Sequence, residues 1–258
     1  MDVTKKVLIM VTGSYAESEN YKECEKTWMP LLRKMGFKVL TALGNREVQE
    51  YGVLTSNDFE NYYKFLGKNT IEFRTFDDKR GLFDKSIKLP AKWILEETDY
   101  EYYFRIDSDS FVHPMRFKQM LEDNLKWAPD LDYMGCCHPW MGWNPHRSQR
   151  YFICRTGHMA AGCGYLVSRR AMRVAQEKMK LLQPSEFILD DWVLGRAMWE
   201  NGIQLLHDSR ICFESKHKRV IRDYVDVGVP DITEEESHLA IQHYMNGHMR
   251  DAIKKLKL

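Results

Sequence analysis

The chain has 258 residues, with 38 Lys and Arg against 37 Asp and Glu and a formal net charge of +1. That balance excludes the broad basic field that drives nucleic-acid binding and leaves no acidic tail, so any partner has to be recognised at a local site. A chain of this length can bury about 70 to 75% of its unfolded surface, and no repeat, low-complexity run or Ser/Gly linker divides it, so the expectation is one domain over residues 1–258.

The opening residues lead into a short apolar run, Val7 to Val11. It is too short for the apolar core of a secretory signal or for a membrane span. As it stands the chain reads as soluble and cytoplasmic, with no membrane span; a trimmed leader would shift the expectation to the Golgi or ER lumen. The six cysteines, Cys24, Cys136, Cys137, Cys154, Cys163 and Cys212, contain no C-x-x-C spacing, which argues against a zinc ribbon or a thioredoxin-type motif. Buried thiols are expected, and a Cys154 to Cys163 bridge stays open for an oxidising compartment.

Val7 to Val11 has the pattern of a buried first strand, followed by a turn at Thr12-Gly13-Ser14 and helical spacing from Glu19 to Met35. Val39 to Leu43 and Ile71 to Arg74 read as the next strands. Ser86 to Glu97 reads as a helix with Ile87, Trp93 and Ile94 on one face. Strands alternating with helices predict an α/β fold, a Rossmann-like, mostly parallel central sheet flanked by helices.

The next strand, Tyr102 to Ile106, ends in Asp107-Ser108-Asp109, two carboxylates one residue apart. In open α/β sheets ligands sit outside the carboxyl ends of strands, so this D-x-D faces a binding crevice. Its oxygens suit a hard divalent ion, Mn²⁺ or Mg²⁺, bridging to a diphosphate. The plainer reading is a turn with Asp in turn positions. Asp130-Leu131-Asp132 has the same spacing but follows Trp127-Ala128-Pro129 and reads as a loop.

Met115 to Leu125 is a further helix, and Gly135 to Tyr151 is too irregular to assign. Gly162 to Ser168 reads as a glycine-rich turn feeding a short strand, Arg169 to Leu182 as a helix, and Leu189 to about Asn201 as another, stopped by Gly202. Ile203 to Leu206 is strand-like. Asp190 and Asp191 sit at a helix start, where acids oppose the helix dipole favourably. One acid suffices for a cap, which leaves Asp191 to accept a proton from a nucleophile. Trp140, Trp143, Tyr151 and Trp192 fit either core packing or the apolar faces of sugar rings.

In this order the motifs resemble the Fringe and β1,3-galactosyltransferase type of glycosyltransferase, which has the GT-A fold. The matching pieces are Val7 to Val11, Cys24-Glu25-Lys26-Thr27-Trp28, Asp84-Lys85-Ser86-Ile87-Lys88, Phe104 to Val112, Gly162 to Ser168 and Asp190 to Gly195. The resemblance implies that Asp107 and Asp109 belong to a metal and nucleotide site, with Ser108 between them, and that Asp191 is the catalytic base. It implies that Thr12, Ser14 and Lys88 line the nucleotide, and that Gly162 and Gly164 let the backbone approach donor or acceptor. A histidine near the C-terminus completes the metal site in that family. His217, His238, His243 and His248 compete for the role here, and His243 is preferred because Leu239 to Tyr244 can be a strand before a last helix, Met249 to Leu256. The chain departs from the family pattern in having no visible secretory anchor, in Asp190 for Glu and in Trp192 for Val.

The function these observations lead to is a metal-dependent, inverting glycosyltransferase that takes a nucleotide-diphospho sugar, a UDP-sugar, and a glycan or glycoprotein acceptor. A retaining transferase of the α-mannosyltransferase kind is the nearest rival, since Tyr-Tyr-Phe-Arg before an acidic turn also fits it. A sugar- or nucleotide-binding module without turnover is another. A phosphohydrolase would show a second cluster of carboxylate or His ligands, and none is compact in the sequence.

Overall fold

The structure is a computed structural model that describes residues 2–47, 62–78, 81–137, 160–179, 190–208, 210–212 and 241–242. Its strands are β1 (Val7–Thr12), β2 (Lys38–Asn45), β3 (Tyr63–Phe65), β4 (Thr70–Phe76), β5 (Tyr102–Asp107), β6 (Phe111–Val112), β7 (Tyr133–Cys137), β8 (Ala160–Ser168), β9 (Leu206–His207), β10 (Ile211–Cys212) and β11 (Ile241–Gln242). Eight of them form one sheet in the order β3-β4-β2-β1-β5-β8-β7-β9, and β10, β11 and β6 form a small second sheet.

The centre of the large sheet is parallel: β4 with β2, β2 with β1, and β1 with β5. From β1 the chain moves outward to β2 and β4, then returns to the other side of β1 for β5. That reversal opens a crevice between the carboxyl ends of β1 and β5. Every residue of β1 is buried, the signature of a strand covered on both faces, and this is why its sequence is a continuous apolar run. Beside β5, β8 runs antiparallel.

Alternation along the strands divides the core in two. Val7, Ile9, Val11, Phe104 and Ile106 pack with Cys24, Trp28, Met29, Phe117 and Leu121, from α1 (Ser18–Lys26), α2 (Trp28–Lys34) and α4 (Pro114–Trp127). Leu8, Met10 and Tyr103 pack on the opposite face with Ile87, Ile94, Met172 and Leu194. Those side chains include residues of α3 (Leu89–Glu97), α5 (Arg169–Met179) and α6 (Asp190–Glu200). Among the described residues no helix is long and apolar enough to cross a membrane.

Four local expectations are corrected. The single helix over Glu19 to Met35 is two, broken at Thr27, where φ is −121° and ψ is −95°. Pro30 has no N–H to give Lys26, and its ring crowds that carbonyl, so the helix cannot pass through. The glycine-rich stretch at Gly162 is no turn; it lies within β8. A Cβ on Gly164 would come within 3.0 Å of the Phe104 ring and 3.1 Å of Ile241, so this glycine serves close packing between the two sheets. The strand expected at Ile203 to Leu206 is only β9, because Gly202 (φ +71°) and Ile203 are taken up in the α6 stop. Ile203 N donates to Met198 O and Gly202 N to Trp199 O, closing the last turn.

The helix expected from Ser86 begins instead with a π-turn, Asp84–Lys88, ahead of α3. Pro90 supplies no N–H for the Ser86 carbonyl four residues earlier. The phenol of Tyr103 supplies the hydrogen from the sheet, with its Oη 2.6 Å from Ser86 O. At the other end of α3, the Arg169 guanidinium donates to Ile94 O, Leu95 O, Thr98 O and Tyr100 O, satisfying carbonyls the helix leaves open. Tyr103→Phe removes the π-turn's anchor and leaves a buried carbonyl unsatisfied, so it is expected to cost about 1–3 kcal/mol, read from the midpoint of urea unfolding. An unchanged midpoint would show that this bond does not hold the π-turn.

Candidate active site

The D-x-D falls where the topology requires. In the β1–β5 pairing Thr12 is the register partner of Asp107, so the two side chains stand next to each other on one face at the crevice mouth. Thr12 is buried, and among the described residues its Oγ1 meets no hydrogen-bond partner. Asp107 and Asp109 are partly exposed, while Ser108 and Ser110 are buried between and beside them.

The turn that carries these acids is pinned from three sides. Ser108 N donates to Thr12 O at 3.1 Å, and Ser110 N closes back on Asp107 O at 3.1 Å. From α1, the buried Cys24 thiol donates to Ser108 O at 3.2 Å, and Ser108 Oγ reaches Glu17 Oε2 at 3.4 Å. From β8, Cys163 O accepts from Ser110 Oγ at 3.2 Å. Burial pushes the Cys24 pKa up, so it remains a thiol and a donor. Beyond the turn, β6 pairs antiparallel with β11, Phe111 opposite Gln242 and Val112 opposite Ile241.

Behind the turn lies Arg105, which is only 1% exposed and sits on the same face of β5 as Asp107. Its Nη2 is 2.5 Å from Asp107 Oδ1 and 3.4 Å from Ser86 Oγ, and its guanidinium lies 5.6 Å from the centre of the Tyr165 ring. A buried guanidinium is tolerated only where a carboxylate compensates it, and removing one partner of such a pair typically costs about 3–5 kcal/mol.

A shelf of polar groups continues from β1 towards β4. Asp77, just past β4, accepts from Tyr15 N at 2.6 Å and from Gly44 N at 3.2 Å, tying together the chain segments at the ends of β1, β2 and β4. Burial raises its pKa against the pull of those bonds and of Lys85. The Lys85 ammonium, also buried, donates to Asp77 O at 2.5 Å, and desolvation lowers its pKa. Tyr15 Oη donates to Glu72 at 2.7 Å, and Arg46 lies 3.7 Å from the centre of the Tyr15 ring.

Several expected site residues come together here: Thr12, Ser14, Asp107, Ser108, Asp109 and Gly164, whose partner in β5 is Ile106. Ser14 Oγ is engaged as a cap, accepting from Glu17 N. Gly162 lies in the same first half of β8. Asp190 and Asp191 are the first two residues of α6, and Asp191 is buried; α6 packs on β8, α5 and the π-turn, on the Arg105 side of the sheet. The Lys88 ammonium turns to Asp84 at 3.6 Å, whereas Lys85, three residues earlier, reaches the shelf. His243 lies outside the described residues, as do His217, His238, His248, Trp140, Trp143, Tyr151 and Cys154; of Trp192 only the backbone, in α6, is described. Asp132, in the second D-x-D, is structural, binding the Ser168 hydroxyl and Arg170 Nη1 (3.1 Å).

The sequence reading did not single out Arg105, Asp77 or Lys85. A signal existed for Arg105, since R-x-D on a strand puts both charges on one face. Asp77 carried none, because its partners, Tyr15 in the turn after β1 and Gly44 in β2, are distant in the sequence.

Two partly exposed carboxylates at a strand end suit an oxygen-seeking divalent ion that completes its shell with a ligand's phosphates. Among the described residues no group of three His, Cys, Asp or Glu gathers to hold one.

No protein-family model matches the chain, and no curated protein matches it. Solved structures resemble it weakly. One is a glycosyltransferase involved in the glycosylation of the major capsid of PBCV-1, with 11% identity, TM-score 0.49, and 98% of this chain and 99% of that chain covered. Galactosyltransferase LgtC, in complex with donor and acceptor sugar analogs, has 12% identity, TM-score 0.43, and 92% and 86% covered. A mannosyltransferase from Pyrobaculum calidifontis, in complex with GDP-Man and Mn²⁺, has 12% identity, TM-score 0.42, and 79% and 54% covered.

Cys24→Ala is expected to cost about 1–3 kcal/mol by leaving Ser108 O short of a donor, with Cys24→Ser recovering part of the loss. Equal denaturation midpoints for Cys24→Ala and the parent chain would remove the thiol from the supports of the turn.

Proposed function

We propose that this chain is a glycosyltransferase of the GT-A kind, a single domain that uses Mn²⁺ or Mg²⁺ and moves a sugar from a UDP-sugar to a hydroxyl of a glycan or glycoprotein acceptor, with inversion. The observation that carries the reading is the pairing of Thr12 with Asp107 at the point where the strand order reverses. This is where α/β sheets bind ligands, and here it presents acids on a braced turn beside a buried hydroxyl. The order of motifs, which resembles the Fringe and β1,3-galactosyltransferase type, supports the UDP donor and the inverting course.

In this reading Asp107 and Asp109 hold the ion, with His243 as third ligand; Gln242, the residue before it in the sequence, pairs with Phe111, two residues after Asp109. A bound divalent ion supplies electrostatic stabilisation for the charge that gathers on the leaving diphosphate. Thr12, Ser14, Ser108 and the shelf around Asp77 and Lys85 line the nucleotide, Lys88 standing next to them, and Gly162 and Gly164 keep β8 low beside donor and acceptor.

Asp191 is the base. Its carboxylate takes the proton of the acceptor hydroxyl, and that oxygen forms the new bond to the anomeric carbon. On the opposite face the bond from that carbon to the diphosphate oxygen breaks, and its electron pair leaves with the diphosphate. One displacement inverts the centre. The burial of Asp191 on the Arg105 side of the sheet suits a base working out of bulk water.

Asp191→Asn keeps size and helix-start character, so donor binding should persist while transfer falls by about 10² to 10⁴-fold; Asp190→Asn should retain more activity. Transfer rates on a panel of nucleotide sugars, with the product anomer read by NMR, test this. Full activity in Asp191→Asn, or a retained anomer, would contradict the mechanism.

A further inference from the structure

We infer that Arg105 is a positioning residue that holds Asp107 partly neutralised, so that a divalent cation enters the site together with a diphosphate rather than ahead of it. The inference rests on the nucleotide-sugar reading above and concerns how the D-x-D is preset.

The geometry behind it is one of enclosure. Arg105 is 1% exposed and Asp107 24%, with 2.5 Å between Nη2 and Oδ1. The guanidinium is thus sealed against the middle of the sheet while the acid it pairs with is partly open at the carboxyl end of β5. Tyr165 below and Ser86 of the π-turn beside it define where the planar guanidinium sits. A fixed guanidinium sets the direction of the carboxylate it binds, which an ammonium on a flexible stem does not. Tyr103, which anchors Ser86 O, completes the brace between sheet and π-turn.

The charge count gives the consequence. Asp107 and Asp109 bring two negative charges to the turn and Glu17 a third through Ser108 Oγ, and Arg105 cancels one of them, the one on the acid it pairs with, before a lone divalent ion arrives. Lys85 is a second buried cation whose charge and that of Arg105 act on each other, with Asp77, Glu17 and Asp78 offsetting it. A diphosphate reverses this, because its oxygens complete the ion's shell and its own charge is welcomed by the same two cations.

The test measures Mn²⁺ binding by electron paramagnetic resonance, with and without UDP, in the full chain and in Arg105→Met and Arg105→Lys, each checked for folding by circular dichroism. In the parent chain UDP should raise Mn²⁺ affinity strongly. Arg105→Met should bind Mn²⁺ alone more tightly, by roughly tenfold, because the compensating charge is gone, while the gain from UDP shrinks. Arg105→Lys should leave binding of Mn²⁺ alone near the parent value and still lose part of the UDP gain, which keeps the inference testable if the Met variant does not fold. A parallel loss of both affinities, or no change in either, would make Arg105 structural only and overturn the inference. If the parent chain shows no UDP-dependent Mn²⁺ binding, the nucleotide-sugar reading itself fails, an outcome distinct from a parent that binds and variants that match it.

Discussion

The parallel pairing of β1 with β5 is the constraint on which the rest of the candidate site depends. It sets Thr12 beside Asp107, and it does so at a place where the strand order reverses. A slip of one residue in this register would turn Asp107 and Arg105 to the other face of the sheet, into the layer of Phe104 and Phe117. The register is held because β1 and β5 are buried on both sides, so each alternate residue already has a fixed place in one of the two apolar layers.

Around that register the molecule concentrates its buried charge. Arg105, Asp84, Lys85 and Asp191 are all nearly inaccessible, and each is costly to desolvate without a partner. Asp84 meets Thr75 Oγ1 at 3.0 Å and Lys88 at 3.6 Å, and burial raises its pKa. The π-turn carries Asp84, Lys85, Ser86 and Lys88 within five residues, an irregular helix of the sort that recurs at functional sites. Elsewhere a comparable cluster is plainly a clamp: Arg210 joins Asp208 at 2.7 Å to Asp123 of α4 at 2.6 Å, at the threshold of β10. The difference is one of place, since Arg105 and Lys85 stand near the carboxyl ends of the parallel strands and the second group ties down a chain segment.

Much of the architecture was legible because it follows from local pattern. The central strands read as apolar runs, the D-x-D as the abrupt polar end of one of them, and the Gly202 stop as a left-handed helix end. The second D-x-D was correctly read as loop for want of a preceding strand. The misreadings share a cause, a feature whose meaning depends on a distant partner. Gly164 reads as turn until Phe104 and Ile241 are found where its side chain would be. The helix start expected at Ser86 overlooks the π-turn, which Tyr103 anchors from the sheet. Pro30 is the exception, since its effect on the α1–α2 break is local and could have been read directly.

The central claim is that Asp107 and Asp109 hold a divalent ion and a nucleotide diphosphate between the ends of β1 and β5. Crystals grown with UDP and Mn²⁺, examined by anomalous scattering at the manganese edge, test it most directly. The account predicts a single strong manganese peak between the two carboxylates, with the diphosphate beside it over Thr12. A peak held by other side chains, with the Asp107–Arg105 turn bare and the nucleotide elsewhere, would contradict it.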